Sequence, residues 1–117
     1  MPRAGLRQSL GMPRLVPMLA LLFAAGAAPA ADVPAAARRA QLIEMVRQDC
    51  GACHGLTLRG GLGPSLEPAK LAGRDVEQLG FVILNGRRGT PMPPWRGHLT
   101  EDEARWIAEL LKQGLPR

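Results

Sequence analysis

Aromatic side chains are scarce in this chain of 117 residues, which contains no tyrosine, two tryptophans and two phenylalanines. A small domain buries only a modest part of its surface, so its stability is marginal unless a bound group or a covalent link adds to the core. A core built from so few large side chains would therefore be marginal without such an addition.

Cysteine and histidine are equally scarce, with two residues of each. Cys50 and Cys53 form a C-x-x-C pair, which leaves no cysteine for a separate disulfide. A structural zinc site would need about four ligands, and His98 lies far outside zinc-finger spacing. A thioredoxin-like redox pair would belong to a βαβ pattern, which this sequence does not show.

Both cysteines belong to the stretch Cys50-Gly-Ala-Cys53-His54, which has the spacing of a c-type haem attachment motif. On one turn of helix, the two thiols can reach the two vinyl groups of one porphyrin, and the next residue brings an imidazole nitrogen under the iron. The stretch therefore predicts one haem c, attached through Cys50 and Cys53, with His54 as an axial ligand.

The apolar run at residues 15–25 has eleven residues, whereas a helix that spans a bilayer needs about 20. It follows three arginines without an acidic residue and precedes Ala28-Pro29-Ala30, a small-x-small cleavage pattern. We predict a cleaved signal peptide over residues 1–30 and a single domain over residues 31–117, exported and without a permanent membrane anchor. An uncleaved anchor is the alternative.

The formal net charge is +5, from 15 basic and 10 acidic residues. Removal of Arg3, Arg7 and Arg14 with the signal peptide leaves 12 basic and 10 acidic residues, a net charge of +2. Two haem propionates would bring this charge close to zero. Nucleic-acid-binding domains present a basic stripe, often with aromatic platforms. The composition therefore excludes a nucleic-acid partner.

Helical periodicity occurs in three segments, and no segment predicts a strand. We expect helices from about Ala35 to Asp49, from Asp75 to Asn85 with Gly86 as a left-handed cap, and from Thr100 with Glu103 completing a capping box. The expected buried faces are Leu42, Ile43 and Val46, then Val76, Leu79, Val82 and Ile83, and last Trp106, Ile107, Leu110 and Leu111. The fold class is therefore predicted to be all-α.

The segment Gly55–Pro64 contains four glycines and predicts a loop. Glycine allows a backbone to pass close to a flat ligand or to take a positive φ. We expect this loop to approach the haem closely. A merely flexible surface loop is the alternative.

Three residues of the predicted mature chain could supply the second axial ligand: Met45, Met92 and His98. Met45 lies in the first predicted helix, on the side of the iron that His54 occupies. Met92 lies between two prolines, which hold the segment extended, and its thioether suits an iron of raised potential. We favour Met92, with His98 as the competing ligand.

These motifs resemble class I cytochromes c over essentially the whole predicted mature chain. The order is that of the family: C-x-x-C-H after a first helix, then G-P-x-L, a Met-Pro loop and a final helix. The closer resemblance is to cytochrome c-55X, a small periplasmic cytochrome encoded beside the cd1-type nitrite reductase of denitrifying bacteria. The stretches that carry it are residues 49–55 (DCGACHG), 58–64 (LRGGLGP), 82–87 (VILNGR), 92–95 (MPPW) and 103–107 (EARWI).

The resemblance implies a class I cytochrome c fold, in which three main helices wrap around one covalently bound haem. It implies axial bonds to iron from His54 and Met92. It also implies that the Pro64 carbonyl accepts a hydrogen bond from the second nitrogen of His54, which would orient the ring. The two terminal helices should cross, with Trp106 near the crossing.

The resemblance also implies a periplasmic electron carrier and not an enzyme, with a cd1-type nitrite reductase as its redox partner in denitrification. With both axial positions filled, the iron would have no open site for a substrate. An accessory role in the maturation or insertion of d1 haem is an alternative, in which d1 haem would visit the protein. A gas-binding or peroxidatic haem protein is a further alternative and would need a weak or absent sixth ligand.

Overall fold

Helices account for all the regular secondary structure in Gly11 and residues 33–117, the residues that the computed structural model describes. They are α1 (Ala36–Met45), a π-helical segment (Val46–Cys50), α2 (Gly51–His54), α3 (Pro68–Leu71), α4 (Val76–Asn85) and α5 (Glu101–Gln113). The prediction of an all-α fold is confirmed. The predicted signal-peptide cleavage site lies outside the described residues.

The first helical run is longer than predicted. α1, the π-helical segment and α2 follow one another without interruption, so the run passes the predicted end at Asp49 and reaches His54. Gly55 ends it with a φ of 89°. A π-helical turn holds more residues than an α-helical turn, so the 3.6-residue period used for the prediction does not hold within Val46–Cys50. The attachment motif therefore lies at the carboxyl end of a helix anchored in the core.

Local capping fixes where α4 and α5 begin. Asp75 Oδ1 accepts a hydrogen bond of 3.1 Å from the backbone nitrogen of Gln78 at the start of α4. At the start of α5, Thr100 Oγ1 accepts from the Glu103 backbone nitrogen at 3.1 Å, and Glu103 Oε2 accepts from the Thr100 nitrogen at 3.0 Å. The predicted capping box is therefore confirmed.

Ile107 and Leu111 are buried as predicted, and the buried faces of α4 and α5 also contain small residues that were not predicted. The buried residues are Gly80 and Leu84 in α4, and Ala104, Ile107, Ala108 and Leu111 in α5. The other predicted residues are only half-buried: Val76, Leu79, Val82, Ile83, Trp106 and Leu110. Of these, Leu79, Ile83 and Trp106 pack against the core. Helices α4 and α5 pack closely at Gly80, where an added Cβ would lie 3.5 Å from the Arg105 backbone nitrogen. Small residues allow two helices to approach in this way.

The core joins the two ends of the domain. Leu42, Val46 and Ile107 are its largest fully buried side chains, and they come from α1, the π-helical segment and α5. Arg38 Nε in α1 and Glu103 Oε1 in α5 form an ion pair at 2.6 Å. The first and last of these helices therefore contact each other.

Within the described residues, no helix is both long enough and apolar enough to cross a membrane.

Candidate haem site

The two cysteines lie at the end of the first helical run, as free thiols one helical turn apart. Cys50 closes the π-helical segment and packs against the core. Burial raises the pKa of its thiol to about 11, and the neighbouring Asp49 charge acts in the same direction. Cys53 lies half-buried within α2. Both sulfur atoms are therefore free to form bonds to a cofactor.

The imidazole of His54 is oriented by the loop that follows it. Its Nδ1 lies 2.6 Å from the carbonyl oxygen of Pro64. A carbonyl oxygen can only accept a hydrogen bond, so Nδ1 must carry the proton. In a neutral imidazole the other nitrogen, Nε2, then has a free lone pair. This is the arrangement in which a histidine binds a metal through one ring nitrogen while its second nitrogen is held by a carbonyl.

The glycines of the Gly55–Pro64 loop contact the attachment motif itself. A Cβ added to Gly63 would lie 2.8 Å from Cε1 and Nδ1 of the His54 ring. A Cβ added to Gly61 would lie 2.9 Å from the Cys53 carbonyl oxygen. The backbone nitrogen of Gly63 also donates to that oxygen at 2.8 Å. The sequence predicted that this loop lies close to the haem. In the structure, the loop lies close to the residues of the attachment motif.

Leu58 ties the same loop to the core. It is buried and has a φ of 59°, which is unusual for a residue other than glycine. Its backbone nitrogen donates to the Gly55 carbonyl at 2.8 Å, and its carbonyl accepts from the Leu66 nitrogen at 2.8 Å. In the sequence, Leu58 stands only within a stretch of family resemblance. No periodic pattern marks it, because its burial depends on this irregular turn.

Met92 belongs to a second loop, which folds back onto the carboxyl end of α4. The Met92 carbonyl accepts from the Arg87 nitrogen at 3.2 Å, and the Trp95 nitrogen donates to the Leu84 carbonyl at 3.1 Å. Gly86 has a positive φ of 67° but a ψ of −168°, so the predicted left-handed cap is wrong. The chain leaves α4 in an extended conformation because Met92 and its neighbours press against Gly86. Met92 is half-buried.

The competing ligand His98 and the disfavoured candidate Met45 both have structural contacts. His98 is exposed, and its ring centroid lies 5.9 Å from that of Trp95. Its carbonyl accepts a hydrogen bond of 3.3 Å from Arg38 Nη2, which ties its backbone to α1. Met45 packs against the core from a half-buried position. These contacts give both residues a structural role.

The structure thus brings Cys50, Cys53, His54 and Pro64 together in one site, whereas the backbone of Met92 is held by α4. The described residues contain no group of three or more histidine, cysteine, aspartate or glutamate side chains that could hold a metal ion. Two free thiols and one imidazole with a free Nε2 fit a haem that is attached at two points and ligated at its iron.

Known proteins share these features. The family model described as cytochrome c oxidase, cbb3-type, subunit III matches residues 34–111. Cytochrome c55X of Paracoccus denitrificans is 58% identical over 100 residues, which cover 86% of this chain and 94% of that protein. Cytochrome c55X of Pseudomonas aeruginosa is 52% identical over 97 residues, which cover 82% of each chain.

Two solved structures are also similar. The c-type cytochrome NirC superposes with a TM-score of 0.68 at 51% identity, covering 70% of this chain and 96% of NirC. The dihydro-heme d1 dehydrogenase NirN, in complex with DHE, gives a TM-score of 0.56 at 39% identity. That match covers 63% of this chain but only 16% of NirN.

The fold, the C-x-x-C-H site and these matches define a c-type cytochrome, a class whose cofactor is haem c. The chain belongs to the class I c-type cytochromes and is close to cytochrome c55X. The relatives that it matches over most of their own length are small cytochromes of the electron-carrier type and not enzymes.

Proposed function

We propose that this protein is a periplasmic monohaem cytochrome that carries single electrons to a cd1-type nitrite reductase in denitrification. Its haem c would be attached through Cys50 and Cys53, with His54 and Met92 as the axial ligands of iron. The observation that carries the proposal is the hydrogen bond between His54 Nδ1 and the Pro64 carbonyl. This bond directs the lone pair of Nε2 away from the loop and makes it available to iron.

Each residue has a distinct task in this proposal. The thiols of Cys50 and Cys53 each form one thioether bond, which keeps the cofactor in place through every redox cycle. The ring of His54 is fixed by Gly63 and Pro64, so it need not turn when the charge on the iron changes. Bound haem c supplies a one-electron couple between ferric and ferrous iron.

Ligation of iron by Met92 would distinguish an electron carrier from a haem protein that binds small molecules. A thioether in the sixth position would close the iron to gases and peroxides and favour the reduced state. The backbone contacts that hold Met92 against α4 support a fixed position for this ligand. His98 is the competing ligand, and its side chain is exposed beside Trp95.

The periplasmic location is supported by the predicted signal peptide over residues 1–30 and by membership of the c-type cytochromes. The choice of a cd1-type nitrite reductase rests on the resemblance to cytochrome c-55X. Weak charge complementarity suits a carrier that must leave its partner after each electron. With the predicted mature chain at +2 and two propionates, the holoprotein would be close to neutral.

A second function is favoured by one specific comparison. The similarity to NirN, a dihydro-heme d1 dehydrogenase solved in complex with DHE, supports a role in the maturation or insertion of d1 haem. The chain matches only 15% of the length of the dehydrogenase from Pseudomonas aeruginosa, so the similarity concerns a small part of that enzyme. This role could coexist with electron transfer, and d1 haem would then be a ligand.

Stopped-flow mixing tests the proposed carrier function. The reduced holoprotein should be oxidised rapidly by a cd1-type nitrite reductase that contains d1 haem. With excess nitrite, this oxidation should continue. Without nitrite, as the control, it should stop once the cofactors of the reductase are reduced. Titration of the protein with free d1 haem tests the second function. Slow oxidation together with tight d1-haem binding would replace the carrier function with the maturation function.

A further inference from the structure

Gly86 lies at the carboxyl end of α4, where the loop that contains Met92 packs against this helix. A Cβ added to Gly86 would lie 2.6 Å from the carbonyl oxygen of Met92, 2.8 Å from the carbonyl carbon of Pro93 and 2.9 Å from the nitrogen of Pro94. All three are backbone atoms, which cannot turn away as the end of a side chain can. Any side chain at position 86 would therefore have to move the backbone of the loop.

The conformation of Gly86 leads to the same conclusion independently. Its φ of 67° and ψ of −168° lie in a region that is essentially restricted to glycine. A residue with a Cβ would tend to leave this region and would redirect the chain as it leaves α4. Both the conformation and the close contact therefore link the residue at position 86 to the position of Met92.

The turn that follows Gly86 holds Met92 by both of its backbone polar groups. The Arg87 nitrogen donates to the Met92 carbonyl at 3.2 Å. The Thr90 hydroxyl donates to the Arg87 carbonyl at 2.7 Å and accepts from the Met92 nitrogen at 3.4 Å. The Met92 backbone is thus held by hydrogen bonds to Arg87 and Thr90, with its carbonyl oxygen against Gly86.

We propose that Gly86 is a positioning residue for the iron ligand Met92, and that the Thr90 hydroxyl helps to hold the Met92 backbone. This inference rests on the ligation proposed above. Absence of a side chain at position 86 lets the Met92 carbonyl sit against the end of α4, which fixes the backbone from which the thioether reaches the iron. A side chain there displaces this backbone, and the thioether is then replaced more readily by an external ligand.

Gly89 and Gly97 provide matched controls. Gly89 lies in the same loop with a φ of 75°, and an added Cβ would meet no atom within 4 Å. Gly89→Ala therefore also places a Cβ on a residue with a positive φ, but without a collision. Gly97 also has open space around it, and Gly97→Ala controls for an alanine at a residue without a positive φ.

The test is a titration of the oxidised holoprotein with imidazole, followed by the loss of the weak far-red sulfur-to-iron absorption. Gly86→Ala should lower the imidazole concentration for half displacement at least about tenfold relative to Gly89→Ala, which corresponds to about 1.4 kcal/mol. Gly97→Ala should behave like the unmodified protein. Equal displacement in Gly86→Ala and Gly89→Ala would overturn the inference.

Thr90 keeps the inference testable if Gly86→Ala yields no holoprotein. Thr90→Val removes the hydroxyl at nearly constant shape and should ease displacement, whereas Thr90→Ser keeps the hydroxyl and should restore the behaviour of the unmodified protein. Thr90→Val that titrates like the unmodified protein would overturn the proposed role of the hydroxyl. The unmodified protein tests the ligand itself. If it lacks the far-red absorption, ligation by Met92 fails. If it has the absorption and the Gly86 and Thr90 variants titrate as their controls do, only this inference fails.

Discussion

The Nδ1 atom of His54 lies 2.6 Å from the carbonyl oxygen of Pro64, and this single contact determines which nitrogen of the ring can bind iron. The contact depends on the residue before the proline, since Gly63 has no side chain to push the ring away. The loop and the attachment motif therefore form one unit, in which the backbone of the loop sets the chemistry of the histidine.

Gly63→Ala should raise the reduction potential of the holoprotein. The new Cβ would lie 2.8 Å from two atoms of the His54 ring, so the ring or the loop must shift and the bond from Nδ1 to Pro64 should lengthen. A weaker hydrogen bond makes the imidazole a poorer donor to ferric iron. A potentiometric titration measures the change, with Gly97→Ala as the control because its added Cβ meets open space. An unchanged potential in Gly63→Ala would contradict the account of the loop.

Removal of the two thiols should abolish covalent attachment and most of the fold. Cys50→Ala and Cys53→Ala should each leave one thioether, and the double variant should leave none. Because the core of the described residues is small, with Leu42, Val46 and Ile107 as its largest fully buried side chains, the double variant should be largely unfolded without haem. Mass spectrometry and haem staining of denaturing gels check attachment, and far-ultraviolet circular dichroism checks helix content. A cooperatively folded double variant with native-like helix content would show that haem is not part of the core.

Gly80→Ala should stabilise the protein by up to about 1 kcal/mol, since alanine is the better helix former. The added Cβ would be in ordinary contact with the Arg105 backbone, 3.5 Å from its nitrogen. Gly80→Leu should instead destabilise it by about 1–3 kcal/mol, because the larger side chain must separate α4 from α5. Urea denaturation gives both free energies of unfolding. A destabilising Gly80→Ala would mean that the two helices lie closer together than described.

This close packing marks a limit of what the sequence predicts. Thr100 and Glu103 predict the start of α5, because a capping box is formed by residues close in sequence. Asp75 predicts the start of α4 for the same reason. Gly80 gives no such signal, since a glycine in a helical pattern is explained only by the neighbouring helix. The periodic pattern therefore identified Ile107 and Leu111 as buried, but not the small residues Gly80 and Ala104.

In the candidate site, too, local features could be predicted from the sequence, whereas contacts between distant residues could not. The spacing of Cys50, Cys53 and His54 predicts their chemistry because the motif spans one turn of helix. The contact with Pro64 was implied only by the family resemblance, because it joins residues ten positions apart across an irregular loop. Gly86 ends α4 as predicted, but its conformation is not the predicted left-handed one. The sequence gives no sign of this, because the neighbours of Gly86 in space come from a later part of the chain.

Glu103→Gln should lower stability at neutral pH and have little effect in acid. Arg38 donates hydrogen bonds to the carboxylate and, with the Thr100 backbone, holds the pKa of Glu103 below its usual range against the opposing effect of burial. This stabilisation is fully present above the unfolded pKa of about 4.3 and is lost as the pH falls through the lower folded pKa. The free energy of unfolding measured at pH 7, 5 and 3 should show the difference shrinking toward zero.

Glu109→Gln is the control for this prediction. Glu109 is exposed on the same helix and has no ion pair with the described residues. Its replacement should change stability little at any of the three pH values. A constant difference between Glu103→Gln and the unmodified protein from pH 7 to 3 would assign the effect to helix capping alone and not to the charge of the ion pair.

The optical spectrum of the purified holoprotein, recorded oxidised and reduced with and without carbon monoxide, tests the central claim most directly. With His54 and Met92 as axial ligands, the oxidised protein should show the weak far-red sulfur-to-iron absorption, and the reduced protein should not bind carbon monoxide. Met92→Ala should lose the absorption and bind carbon monoxide, whereas His98→Ala should do neither. Carbon monoxide binding by the unmodified protein, or loss of the absorption in His98→Ala alone, would contradict the account.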